Sequence, residues 1–139
     1  FGKVEYVGRG DVETYSDRKQ AGLIGHYNTT AEAMFHYYVK PQATGNRTDV
    51  RWVKFSDTKN QLMVAAQQSF QFSVIPFSDS VVDRATHINQ LYRDGKVTVH
   101  LDALQSGVGT ATCGPGVAEQ YRVPVKRTTF SFVLYPFAK

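Results

Sequence analysis

The sequence predicts an all-β domain, a β-sandwich with one short helical segment. Three observations carry this. Apolar and polar residues alternate at period two in several short runs. Clusters of Gly, Asn, Asp and Ser separate those runs. No long stretch repeats apolar residues every 3.6 positions, so half-buried strands need a second sheet as cover. At 139 residues the chain is one domain, long enough to bury a real core.

Taken in order, the first strand is Lys3-Val-Glu-Tyr-Val7. The chain opens at Phe1 almost inside it, so it is expected to be a piece of something longer. Thr30-Ala-Glu-Ala-Met-Phe-His-Tyr37-Tyr38 reads as a short helix with an aromatic ending, broken before Lys40-Pro41. Val50-Arg-Trp-Val-Lys-Phe55 and Gln61-Leu-Met-Val-Ala65 flank Ser56-Asp-Thr-Lys-Asn60, a hairpin connection. In Ser69–Ile75, Phe70, Phe72 and Val74 share the inward face. Ser78–Thr86 begins with cap-type residues and continues as one or two helical turns. Lys96–Asp102 places Val97, Val99 and Leu101 inward, and Thr129–Leu134 does the same with Phe130, Phe132 and Leu134.

The net charge of +4 comes from 16 basic and 12 acidic residues that are scattered, without the stripe a nucleic-acid footprint needs. No apolar run approaches the roughly 18 residues of a membrane span. One cysteine excludes an internal disulfide and a cysteine-built zinc site. Asn28-Thr-Thr30 and Asn46-Arg-Thr48 fit the glycosylation triplet and are read as bare turn residues.

Residues capable of chemistry are few. Glu13 and Asp17 are close in sequence, but Asp17 beside Arg18 suits an ion pair or turn hydrogen bond better than catalysis. The histidines His26, His36, His87 and His100 match no short metal-ligand spacing. His100 is read as solvated beside Asp102, and His87 as a buried hydrogen-bonding anchor. Trp52 is read as a core residue between sheets, with a sugar platform as the rival. Arg47 and Arg51 flank Asp49 and suit an ion network. The loop Ser106–Gly116 holds four glycines and is the best site candidate. Gly107-Val-Gly109 is no phosphate cradle, having no following helix or P-loop lysine. Cys113 has no neighbouring His or Lys to activate it, and is either a small filler or a pocket-lip residue.

Three blocks go beyond strand and turn rules: Gly8-Arg-Gly-Asp-Val-Glu-Thr-Tyr-Ser-Asp-Arg18, Tyr38-Val-Lys-Pro-Gln-Ala-Thr-Gly-Asn-Arg-Thr-Asp-Val-Arg-Trp52 and Gly107-Val-Gly-Thr-Ala-Thr-Cys-Gly-Pro115. With Tyr121-Arg-Val-Pro124 and Thr129-Phe-Ser-Phe-Val-Leu134 behind them, they resemble the C-terminal β-sandwich of family 2 glycoside hydrolases of the β-galactosidase type, the small-chain or domain 5 module. The resemblance covers almost the whole chain. It implies one domain over residues 1–139, the later half of a galactose mutarotase-like supersandwich.

It further implies that the intact enzyme removes terminal β-linked galactose with two carboxylates. Those catalytic glutamates lie in an upstream barrel, so this segment alone is expected to hydrolyse nothing. Mg and Na or K ions, where relatives use them, are bound outside this segment, which itself needs no cofactor. Implied partners are the barrel and first sandwich half, a galactoside substrate and further copies of the enzyme, with no nucleic acid and no membrane. A bacterial cytoplasm is the favoured compartment, with periplasm or export open.

By the same resemblance the loop reaches the barrel mouth, which makes Thr112, Cys113 and Gly114 the substrate-binding candidates. Some relatives carry Trp where Cys113 stands, and a thiol cannot stack on a pyranose. Gly8, Gly10, Tyr15, Asp17, Arg18, Pro41, Asn46, Arg47 and His87 are the implied structural motif. The rival function is an independent carbohydrate-binding module, and a third is a purely structural interaction domain.

Overall fold

The computed structural model describes residues 1–110 and 114–138. They form an all-β, sandwich-like domain built on an antiparallel sheet, with two short helices. Strands β1 (Lys3–Arg9), β2 (Ile24–Thr30), β3 (Arg47–Ser56), β4 (Asn60–Ile75) and β5 (Thr98–Asp102) lie in the order β2-β1-β3-β4-β5, and β6 (Phe132–Ala138) also pairs with β4. Helix α1 is Ala31–Met34 and α2 is Asp79–Arg84.

Alternation sets the core as expected. Val4 and Tyr6 of β1 stand opposite Phe55 and Val53 of β3, and Val53 stands opposite Val64 of β4. All five are buried, with Val50, Phe70, Phe72 and Val74 in the same cluster. Tyr6 and Phe55 meet Phe72 edge-on, at 5.2 and 6.1 Å between centroids, the geometry aromatic quadrupoles favour. Thr30 caps α1 by accepting the Ala33 N–H at 3.1 Å, which lays Ala31 and Met34 on that cluster. A second cluster of Phe35, Ile75, Phe77, Val81 and Val82 forms where α2 covers the end of β4.

The two predicted strands Gln61–Ala65 and Ser69–Ile75 are one long strand. Val50 pairs with Phe70 while Trp52 pairs with Ala65, so β4 bulges between them and Gln67, Gln68 and Ser69 are exposed there. Strand β2 was not foreseen, because Gly25, His26 and Asn28 are poor strand formers. Its pairing along the whole of β1, and Tyr27 stacked on Tyr6 at 5.3 Å, override that propensity.

Four inward positions are corrected. Val97 and Val99 are each 37% exposed, and Phe132 and Leu134 are 42% and 50% exposed. Both β5 and β6 lie on the outer flank of β4, and among the described residues no layer covers them. Strand β6 also begins three residues later than expected and includes Pro136, opposite Leu62. Proline is tolerated there because an edge strand needs no N–H on its open side.

Candidate functional site

The loop leaving β1 is folded tightly against β3. Gly10 has φ +111°, and a Cβ there would meet the Val12 carbonyl at 2.5 Å. Behind it the Arg47 guanidinium, 3% exposed, donates to the Tyr6 hydroxyl at 3.0 Å, the Gly45 carbonyl at 3.0 Å and the Asp11 carbonyl at 2.8 Å. Asn46 donates Nδ2 to the Thr14 carbonyl at 2.9 Å and to Gln71 Oε1 at 2.8 Å. Thr14 returns its N–H to the Asn46 carbonyl at 2.8 Å. The first two sequence blocks are thereby zipped together in the interior.

Glu13 is the centre of the next layer. Its Oε1 accepts from Arg18 Nη2 at 2.6 Å and the Tyr38 hydroxyl at 3.0 Å. Its Oε2 accepts from the Gly45 N–H at 2.8 Å and the Tyr15 hydroxyl at 3.2 Å. Burial acts to raise the Glu13 pKa, but the Gly45 N–H, Tyr38 and Arg18 together hold it below the ordinary value. Burial and then the Glu13 charge push the Tyr15 and Tyr38 phenols up, so both remain protonated donors.

Asp17 joins this scaffold to the third block. Its Oδ1 accepts the Val108 N–H at 3.0 Å and its Oδ2 the Gly109 N–H at 2.7 Å. Gly107 is needed for that approach, since a Cβ would lie 2.4 Å from Asp17 Cγ. Beyond the clamp, Thr110 donates its N–H to the Pro115 carbonyl at 3.2 Å and closes the loop on itself. Glu13, Tyr15, Arg18, Tyr38, Gln42 and Gln105 line a cleft of about 650 Å³ at this junction, with Thr110 at its edge. Gln105 Oε1 itself is sealed from solvent and lacks a hydrogen-bond partner among the described residues.

Of the implied motif residues, Gly8, Gly10, Tyr15, Asp17, Arg18, Asn46 and Arg47 converge on this scaffold, and Pro41 is buried in the segment leading to it. His87 does not join them. It is exposed at the start of a 3-10 turn, Ile88–Gln90, where its ring meets Thr86 Oγ1 at 3.0 Å. It ties down its own turn and is no buried anchor. Gly114 is exposed, with its Cα against Thr110, where a Cβ would meet Oγ1 at 2.3 Å. Thr112 and Cys113 lie outside the described residues.

Other expectations are corrected. Asp49, at φ 55°, pairs with Arg9 and Lys19 rather than with Arg47 or Arg51, because the bulge in β3 turns it toward the β1 loop. Trp52 lies on the face of β3 opposite Val53, half-buried, with the His26 ring 5.6 Å away. His100 is not simply solvated: its Nδ1 meets Ser73 Oγ at 3.0 Å and its Nε2 lies 3.4 Å from Asp79. Asn28 lies within β2 and Asn46 is buried, so neither is a bare turn residue. Glu13 and Gln105 were not singled out as site residues; Glu13 gathers Tyr38 and Gly45 from 25 and 32 residues away besides its neighbours Tyr15 and Arg18. A carboxylate within the first block was the only available signal.

Chemically, the site is built for holding. Glu13 and Asp17 are consumed as acceptors of scaffold donors, and ionised Glu13 is no general acid. Among the described residues, no group of three or more His, Cys, Asp or Glu is placed to hold a metal ion.

Comparison with known proteins agrees with the three blocks. Residues 1–134 match the family model described as β-galactosidase small chain. The β-galactosidase of Staphylococcus xylosus is 29% identical over 134 residues, covering 96% of this chain and 14% of that protein. The β-galactosidase of Kluyveromyces lactis is 34% identical over 133 residues, covering 94% of this chain and 13% of the relative. For β-galactosidase BgaC of Bifidobacterium adolescentis the identity is 34% over 130 residues, with 89% of this chain and 12% of the relative covered. The chain thus spans 12–14% of the length of these relatives. By that family match, and by scaffold residues that convert the matched blocks into one packed junction, the chain belongs to the β-galactosidase small chain family.

Proposed function

We propose that this chain is a non-catalytic C-terminal part of a family 2 β-galactosidase. In that reading the intact enzyme cleaves terminal β-D-galactosides such as lactose by the retaining mechanism. The two carboxylates required, about 5 to 5.5 Å apart, belong to a barrel outside this chain, as do the ligands of any Mg, Na or K ion. This segment packs on the barrel and carries a loop to the sugar site.

The observation that supports it best is the Asp17 clamp on the Val108 and Gly109 amides. A carboxylate that fixes the neck of a glycine-containing loop makes that loop a positioned element. The open apolar residues of β6, five of them 42–50% exposed, suit burial against the remainder of a longer protein.

The test is Asp17→Ala in the intact enzyme, assayed on a chromogenic β-galactoside. Loosening the loop neck is expected to lower kcat/KM by roughly ten- to a hundredfold, with KM carrying much of the change. Wild-type kinetics for this variant would overturn the loop assignment. Turnover by the 139-residue chain alone would overturn the non-catalytic reading.

A further inference from the structure

We infer that the outer face of the sheet around Trp52 is a buried interface in the intact protein, covered by an uncharged apolar surface from the part of the same polypeptide that lies outside these 139 residues. The identity of that longer polypeptide rests on the β-galactosidase reading above. The place of the interface rests on strand register.

Val7 of β1 stands opposite Trp52 of β3, Trp52 opposite Ala65 of β4, and Ala65 opposite Val133 of β6. Four apolar side chains thus cross four strands in one row, about 14 Å at the usual strand spacing. In the next row on the same face, Met63 stands opposite Tyr135. The alternate residues Val53 and Val64 are buried in the core, so this row takes the far side of the sheet. Val133 and Tyr135 are 50% and 49% exposed, and Trp52 is half-buried.

Strand β6 needs cover on both faces. Its run Phe132-Val-Leu-Tyr135 does not alternate, the pattern of a strand buried on either side. Leu134, on the core side, is 50% exposed as well. A cover must therefore reach β6 from two directions. A second copy related by a two-fold axis would press one patch against its own twin and leave the other side open. The matched relatives supply the alternative, since this chain spans only 12–14% of their length.

Charge sets the chemistry of the partner. Glu5 borders the apolar row, and its carboxylate pairs with Lys54 and meets His26 Nε2 at 2.9 Å. That border is neutral without help, so the covering surface brings no countercharge. Beyond it Lys3, Ser56 and Gln61 share one row across β1, β3 and β4. An apolar centre with a polar rim is the anatomy of an interface.

Cover and occupant are read separately in the intact protein. Hydroxyl-radical footprinting oxidises Trp, Tyr and Met side chains, and labelling is compared with that of the urea-unfolded protein. An open face leaves Tyr135 with about half the unfolded labelling, as its 49% exposure sets. A covered face is expected to lower Tyr135, Met63 and Trp52 to roughly a tenth or less, as in the dry centre of an interface. Labelling of Tyr135 near half overturns the interface. For the occupant, photo-methionine replaces methionine in a mixture of isotopically heavy and light copies, and cross-linked peptides are identified by mass spectrometry. Cross-links from Met63 to peptides outside residues 1–139 are expected, joining heavy to heavy and light to light. Heavy–light pairs from Met63 assign the face to a second copy and overturn the occupant. Absence of any cross-link from Met63, while buried Met34 cross-links within the chain, does so too. Turnover of a chromogenic β-galactoside by the same preparation reports the enzymatic reading separately, so an active enzyme with an open face sinks only this interface.

Discussion

Replacing Glu13 by alanine removes one carboxylate from four donors at once, and the structure says which of them matter. Arg18 is 56% exposed, so its ion pair contributes about 1 kcal/mol or less after solvent screening. The Tyr38 hydroxyl is near the surface and can turn to water. The Gly45 N–H and the Tyr15 hydroxyl belong to buried residues and cannot. An unpaired buried donor costs about 1–3 kcal/mol, and with some entry of water through the cleft the pair amounts to about 2–3 kcal/mol. The cost falls on the junction of the first two blocks, so it should appear as easier local opening. Amide hydrogen exchange over peptides 36–48 of the intact protein is the assay, with opening expected to accelerate roughly 30- to 150-fold. Unchanged exchange there would refute the account of Glu13 as the hub.

The same group predicts a pH dependence. The folded pKa of Glu13 lies below its ordinary value of 4.5. Its stabilisation is therefore complete above that value and is lost as pH falls through the folded one. Protection of peptides 36–48, corrected for intrinsic exchange, should hold at neutral pH and decline below about 4.5. Glu13→Ala should flatten this decline.

Three further predictions follow from packing and backbone geometry. Gly107→Ala places a Cβ 2.4 Å from Asp17 Cγ and should break the clamp, so its kcat/KM should fall as far as that of Asp17→Ala; a smaller effect in paired assays would deny the clamp its role. Phe72→Ala empties a fully buried site between Tyr6 and Phe55 and should cost about 3–5 kcal/mol, read as a fall in urea midpoint by circular dichroism. At Asp49, φ 55° favours Asn over a β-branched residue, so Asp49→Val should be less stable than Asp49→Asn by about 1–2 kcal/mol in the same measurement.

How much of this was legible in the sequence depends on the range of the interaction. Phe70, Phe72 and Val74 were readable as core because alternation is local, and the sheet then places every second residue on one side. The short helix at Asp79–Arg84 was readable from its cap residues and period. The three blocks were readable as a family resemblance, and so the fold and the β-galactosidase assignment were within reach of the residues alone.

What only the tertiary structure decided is which of those residues meet. Glu13 finds Tyr38 and Gly45, Asp17 finds Val108 and Gly109, and Asp49 finds Arg9 and Lys19 instead of its own neighbours. Each bond joins positions separated by 25 or more residues in the sequence. Whether Val99 or Leu134 is covered likewise depended on strand order, since alternation assigns a side of the sheet but not a neighbour above it. Local pattern encodes which face a residue takes. Partnership across the fold is set by chain reversals, bulges and register, which no periodicity along the chain records.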